Sequence, residues 1–495
     1  MSARRLTSRA LALALALAVG CATAPAPFRE HLASDAPQVR DCAEWYRALD
    51  GRVAAADVRD AQEVPVRGFP YLRASRLLAA LRARAAGDEA ALQALADRML
   101  ALDLEARRHE IRNLPGPAHA TREALERTQH CGRLLRELDL AKPELRRELL
   151  ARAQVPDDYR TAQRILGFYA LTRLAFAEGV QRHEREVRDA FRRELQVAAG
   201  ASLLRYAPPP GAPLPRSRVA LILAHAAGNP LGIPEPGESE LEELLAAYAP
   251  SFEIVVKGDY DRFGALRWLR GDQGTTLAVD GGQLTVYAHP AWTLYRDRVL
   301  LQLVYTIWFP ERPPASAGDI LAGKLDGVTW RVTLAPDGEP LVYDAIHACG
   351  CYHLFFPTAR AQARPTPDGP EEWLFAPQSL PRIAEGERPL LRIASGTHYI
   401  ERVTLVQGSD SLARYELRPY SDLRSLFRFT TRASAFGPDG LVPGSERAER
   451  LRYWPMGIAS AGAMRQWGRQ ATAFIGRRHF DDADLFEKRF SFDLP

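Results

Sequence analysis

The chain has little lysine: only Lys142, Lys257, Lys324 and Lys488 are lysines, and every other basic residue is arginine. Excess charge of one sign is also missing. Among 495 residues, 65 are basic and 61 acidic, a formal +4 that excludes the basic bias of a nucleic-acid-binding protein. No stretch approaches the roughly 18 uninterrupted apolar residues that a membrane-spanning helix needs. Cysteine is scarce, with five in all, which excludes a disulfide-dense scaffold. There is no P-loop, dinucleotide fingerprint, Gly-x-Ser-x-Gly elbow or Cys-x-x-Cys-His run, so no nucleotide, serine-triad or haem signature is present. What remains is an ordinary globular composition, 46% hydrophobic and 25% charged, over a length that implies two or three domains.

The first segment reads as an export signal. Arg4, Arg5 and Arg9 form a positive region ahead of the Ala/Leu run Ala10 to Val19, which is too short to span a bilayer. Ala18-Val19-Gly20-Cys21 then resembles the bacterial lipobox, with Ala18 where leucine is usual. That resemblance implies cleavage before Cys21, diacylation of Cys21 and, with Ala22 following, an outer-membrane lipoprotein facing the periplasm. Losing the three arginines leaves the charges nearly balanced. In an oxidising compartment the other cysteines pair or bind metal. Cys42–Cys131 is the economical disulfide, with two buried free thiols as its alternative.

The hydrophobic pattern predicts an α+β protein. Residues 1–20 are the signal, 21–39 the lipidated cysteine and tether, and 40–206 a helical domain. Leu77, Leu78, Leu81, Ala85 and Leu92, Leu95, Met99, Leu102 recur at helical spacing, and the longest helix is expected over Asp158 to Gln196. Residues 207–250 hold a Pro-rich linker and a helix at Glu238 to Tyr248. From residue 251 to 495 the period becomes two, predicting a mainly antiparallel sandwich or partly closed barrel. Pro336-Asp337-Gly338 marks a hairpin, and 357–389 reads as one long loop. An amphipathic helix is expected from Ser460 through Met464, Trp467, Ala471 and Ile475.

One segment concentrates chemistry. His347, Cys349, Cys351 and His353 alternate, and in an extended strand all four side chains share one face. Imidazole and thiolate suit zinc first and copper second. A straight strand separates His347 from His353 by roughly 20 Å, so the chain must kink, as Gly350 permits, or a remote group such as His398 must complete the shell. Two other readings stand beside metal binding. Cys-Gly-Cys suits a thiol–disulfide redox pair, and a structural or scaffold role leaves the cysteines as small apolar groups. His183-Glu184 lacks the second histidine of a zincin helix. Asp259-x-Asp261 and His479 to Asp484 hold oxygen donors of the kind that turns and caps also use.

The run Trp330 to Leu334, the Cys349-Gly350-Cys351-Tyr352-His353 segment, Trp467-Gly468-Arg469 and Arg477 to Asp482 together resemble a family of large proteobacterial envelope lipoproteins. The resemblance implies an envelope location with attachment to the membrane through lipid. It carries no reaction.

Overall fold

The computed structural model describes residues 26–197, 199–211, 213–271, 274–408 and 413–495. The export segment, Cys21 and the first tether residues lie outside them. The rest of the expected tether is not extended throughout, because Ala26–Leu32 is a helix that buries Phe28 in the helical core. Pro37–Ala55, Arg76–Ala86, Glu89–Asn113, Ala118–Leu140 and Pro143–Arg152 follow. Pro37 fits a first turn, where its missing N–H costs nothing. The Ser75 hydroxyl accepts from the Leu78 N–H at 3.3 Å, and Asp88 accepts from the Ala90 N–H at 2.8 Å. The stripe residues Leu77, Leu78, Leu81, Leu92, Leu95 and Met99 are buried. Cys42 and Cys131 join the Pro37–Ala55 and Ala118–Leu140 helices by a disulfide, with Cα atoms 5.0 Å apart. A hairpin that helical periodicity hides, Val64–Val66 with Phe69–Ala74, carries Arg73 into this core. There it pairs with Asp103 at 3.1 Å and Glu110 at 2.7 Å.

The β-rich part is a sandwich in which neither sheet closes into a barrel. One sheet runs Leu354–Pro357, Pro340–His347, Gly323–Leu334, Arg298–Arg312, Thr285–Tyr295 and Glu416–Pro419 in spatial order. The other runs Ile400–Gln407, Glu387–Ile393, Ser251–Val256, Ser202–Ala207 and Ala413–Arg414. Most neighbours are antiparallel. Ser251–Val256 is parallel to Glu387–Ile393, Ala413–Arg414 to Ser202–Ala207, and Glu416–Pro419 to Thr285–Tyr295. Phe252, Ile254, Leu391 and Ile393 meet Leu303, Tyr305, Trp330 and Tyr343 between the sheets. The expected hairpin turn forms, with Gly338 at φ 79°.

The six-stranded sheet is buried on its other face too, and there polar side chains stand among apolar ones. Gln302 donates to Thr333 at 2.9 Å, and Thr306 and Thr329 lie 3.0 Å apart. The chain beyond residue 420 covers that face, with Leu485 and Phe486 packing on Leu300 and Phe355.

Three expectations change. The long helix divides into Thr161–Leu166 and Tyr169–Arg192, because a Cβ on Gly167 would lie 2.5 Å from Pro455 and Phe168 takes a left-handed φ of 49°. The second piece packs on Ile400–Gln407 and on residues 454–456 rather than on the N-terminal helices. No helix forms over 460–475, since Gly462 and Gly468, each at φ 84°, turn the chain repeatedly. Met464, Ala471 and Ile475 are buried all the same. Among the described residues, no helix is long and apolar enough to cross a membrane.

The disulfide closes a loop spanning 89 residues of sequence. The chain-entropy model gives it about 4–5 kcal/mol of stabilisation. A Cys42→Ala/Cys131→Ala variant is expected to lose that amount in urea titrations followed by circular dichroism. Adding a reductant should then leave its midpoint unchanged.

Candidate functional site

The Cys-Gly-Cys segment is a reversal between two strands, not a continuous strand. His347 ends Pro340–His347 with its N–H donating to the Cys351 carbonyl at 2.9 Å, and the Gly350 N–H donates to the His347 carbonyl at 2.7 Å. Gly350 sits at φ 94°, and a Cβ there would lie 2.5 Å from the Ala471 carbonyl oxygen, so this turn requires glycine. The chain returns as Leu354–Pro357, with Leu354 opposite Ala345. The shared face expected for His347, Cys349, Cys351 and His353 is therefore not formed. The reversal sends His347 to the inner face of the sheet and His353 to the outer one.

On the inner side, Asp326 gathers His347 and the distant His398. Its carboxylate lies 3.3 Å from His347 Nδ1, 2.9 Å from His398 Nδ1 and 3.4 Å from Arg447. His398 stacks on Phe309 with ring centroids 3.9 Å apart, and its Nε2 lies 3.2 Å from the Tyr260 carbonyl and 3.5 Å from Asp261. Burial opposes ionisation of Asp326, yet His347 and Arg447 hold its carboxyl well below the usual range. Burial also opposes a charged His398, but its bonds to Asp261 and Asp326 keep its pKa above that of an ordinary histidine. His347 is lowered by burial in spite of Asp326.

On the outer side, Arg331 grips Asp344 with two bonds of 2.9 and 2.6 Å, and its guanidinium lies 3.7 Å over the Phe480 ring. His353 Nε2 lies 2.8 Å from the same carboxylate. Burial pushes His353 down to about 3, so the imidazole is neutral, and its bond to ionised Asp344 places the proton on Nε2. The Nδ1 lone pair has no partner.

The two thiols stay together at the turn. Both are free, Cys349 buried and Cys351 half-buried. The Cys351 N–H donates to Cys349 Sγ at 3.4 Å. The Cys351 thiol also donates to Cys349, which lowers the Cys349 pKa against burial, while Cys351, as the donor, is raised. Cys349, Cys351 and His353 line a cavity of about 380 Å³, walled also by Phe176 and His183 from the Tyr169–Arg192 helix and by Phe474. Glu449 lines it too, and burial pushes its carboxyl up to about 7.

Among the described residues, no group of three or more His, Cys, Asp or Glu side chains is arranged to hold a metal ion. Of the five expected ligands, the structure joins His347 to His398 through Asp326, keeps Cys349 with Cys351, and sets His353 on Asp344. Asp326 and Arg331 carry no local ligand signal, because their partners come from other strands and loops, and Asp261, flagged with Asp259 as an oxygen donor, meets His398 instead.

A second cavity, of about 660 Å³, separates the helical part from the Thr285–Tyr295 strand. His289 lines it with neither ring nitrogen hydrogen-bonded, its ring 4.7 Å from Tyr420 and 4.5 Å from Trp467. Compared with known protein families, curated proteins and solved structures, the chain matches none.

His398 gives a pH test. A pKa raised on folding supplies stability that is fully present below the unfolded value of about 6.5 and is lost as pH rises through the folded value. Wild type minus His398→Gln unfolding free energy, from urea titrations between pH 5 and 9, should therefore shrink as pH rises above about 6.5. A difference independent of pH would reject a charged His398.

Proposed function

We propose that this is a lipid-tethered envelope protein whose Cys349–Cys351 pair is a thiol–disulfide exchange site serving the adjoining cavity. The observation that carries the reading is a pair of free cysteines on one turn, with the Cys351 N–H on Cys349 Sγ at 3.4 Å and Cys351 half-buried at the cavity wall. In the proposed exchange, which starts with Cys349 as the thiolate and Cys351 as the thiol, Cys351 passes its proton to Cys349 and attacks one sulfur of a substrate disulfide. The substrate S–S bond breaks, and the departing thiolate takes a proton from solvent. Cys349 then attacks the Cys351 sulfur of the mixed disulfide, the mixed S–S bond breaks, and the Cys349 proton goes to the departing substrate sulfur, which leaves as the second thiol. The protein dithiol is oxidised by two electrons, and the substrate disulfide is reduced to two thiols. A partner dithiol would return the pair to its reduced form. The apolar walls, with Phe176, Tyr453 and Phe474, suit a substrate with an apolar body.

A soft metal ion is the second reading, favoured by the same convergence of two sulfur donors. Zinc comes before copper only if further ligands join the thiols. His347 and His353 are engaged by Asp326 and Asp344 instead.

Thiol trapping separates these readings. Native protein incubated with oxidised glutathione should lose both free thiols together and regain them with dithiothreitol, and Cys349→Ser should accumulate a glutathione adduct on Cys351. Thiols that stay unreactive overturn the exchange reading. About one ion per chain by elemental analysis, lost in Cys349→Ser/Cys351→Ser, establishes the metal reading in its place.

The tether rests on the lipobox resemblance at Cys21. Labelled palmitate should enter the wild-type protein in bacterial cells and not Cys21→Ser. Absence of label from the wild type rejects it.

A further inference from the structure

The Thr161–Leu166 helix and the start of Tyr169–Arg192 present an apolar surface that nothing in the described chain covers. Ile165, Leu166, Phe168, Leu171 and Leu174, five large apolar side chains within ten residues, are between 59% and 72% exposed. Leu451 and Trp454 extend the surface, at 74% and 37%. The segments lie side by side. Arg164 Nε donates to the Met456 carbonyl at 2.8 Å, the Arg160 N–H donates to the Gly457 carbonyl at 2.7 Å, and Phe176 meets Tyr453 with ring centroids 5.5 Å apart. An apolar cluster of this kind on a water-facing surface marks an interaction site, whereas single exposed apolar residues do not.

Backbone geometry adds a second observation. Phe168, a bulky residue, is held at φ 49°, a conformation that costs about 1–3 kcal/mol outside glycine. Close packing of Gly167 on Pro455 fixes this bend, and the ring it carries points to solvent instead of packing on the body. The fold thus maintains a strained residue whose side chain contributes nothing to its own core.

Charge selects the occupant. The same segments carry Arg160, Arg173, Arg450 and Arg452 at exposed or half-buried positions, against Glu178 and Glu446. Glu449, beside Arg450, is buried at the cavity wall, and Asp157 and Asp158 are ion-paired with Arg477 and Arg469. Apolar side chains flanked by arginines suit the boundary between acyl chains and anionic headgroups.

We propose that Ile165 to Leu174, with Leu451 and Trp454, form a membrane-seating surface that inserts shallowly into an anionic phospholipid bilayer. The surface is argued independently of both the thiol chemistry and lipidation at Cys21. It is tested in a chain beginning at Ala26, which lacks the lipid attachment site and keeps all the described residues.

This chain should sediment with vesicles of phosphatidylglycerol and phosphatidylcholine and only weakly with phosphatidylcholine alone. Phe168→Ser/Leu171→Ser/Leu174→Ser changes exposed positions only and should keep the wild-type melting curve while losing at least tenfold in apparent vesicle affinity. Arg160→Glu/Arg450→Glu/Arg452→Glu should weaken binding to the anionic vesicles selectively. Wild-type protein that stays in the supernatant, or binding that the serine variant leaves intact, overturns the proposal. So does a concentration-dependent dimer in ultracentrifugation that the serine variant abolishes, which would assign the surface to a second copy of the chain. Glutathione exchange at Cys349 and Cys351, read in the same preparations, reports on the cavity alone.

Discussion

Asp326 and Asp344 lie on opposite faces of one sheet, both inaccessible to solvent. A buried carboxylate costs several kcal/mol unless charge and hydrogen bonds compensate it. Around Asp344 that demand is met by Arg331 and His353, and Arg331 in turn donates to the Phe480 carbonyl at 2.6 Å. The irregular chain after residue 420 is thereby held on the sheet at a fixed place. Around Asp326 the demand is met by His347, His398 and Arg447, which bring together the end of a strand, the loop before Ile400–Gln407 and the segment leading to Glu449. Either anion stripped of its partners would be stranded in the interior. The thiol turn lies between these two clusters, and its position follows from them.

The same requirement joins the helical part to the C-terminal chain. Arg424, fully buried, pairs with Asp60 at 2.7 Å and Glu105 at 2.7 Å, and Asn113 donates to its carbonyl at 2.9 Å. Arg76 reaches both Asp158 and Asp481. Arginine serves here because its planar fork satisfies several carboxylate oxygens at once while its charge persists. The scarcity of lysine thus has a structural counterpart in these forked, buried contacts.

Much of the fold was legible wherever one local rule acted alone. Period-two runs such as Val299 to Phe309 became strands, Leu77 to Ala85 became a capped helix, and Pro336-Asp337-Gly338 became a hairpin turn. The pattern misled where two rules competed. Met464, Trp467, Ala471 and Ile475 have helical spacing, but Gly462 and Gly468 adopt left-handed turns, and burial is achieved without a helix. At the candidate site, alternation at residues 347–353 placed four ligands on one face, and the same Gly350 that permits a kink produced a full reversal. Asp326 stands 72 residues from His398 and 21 from His347, so no window of sequence contains that cluster.

The two cysteine pairs show what separates a structural from a reactive sulfur. Cys42 and Cys131 are far apart in sequence, buried between helices and already joined, so their bond restrains the unfolded chain and lines neither the cavity at the thiol turn nor the one beside His289. Cys349 and Cys351 are separated by one glycine, and hydrogen bonds from Cys351 lower the pKa of Cys349, the buried member, against burial. Cys351 meets the cavity but holds the proton. Reactivity at the wall therefore requires the proton to move inward first, toward the sulfur that Arg447 also stabilises. The Tyr169–Arg192 helix walls this cavity with Phe176 and His183 and carries Leu171 and Leu174 into solvent on its other side, so one helix presents separate faces to the thiols and to the surroundings.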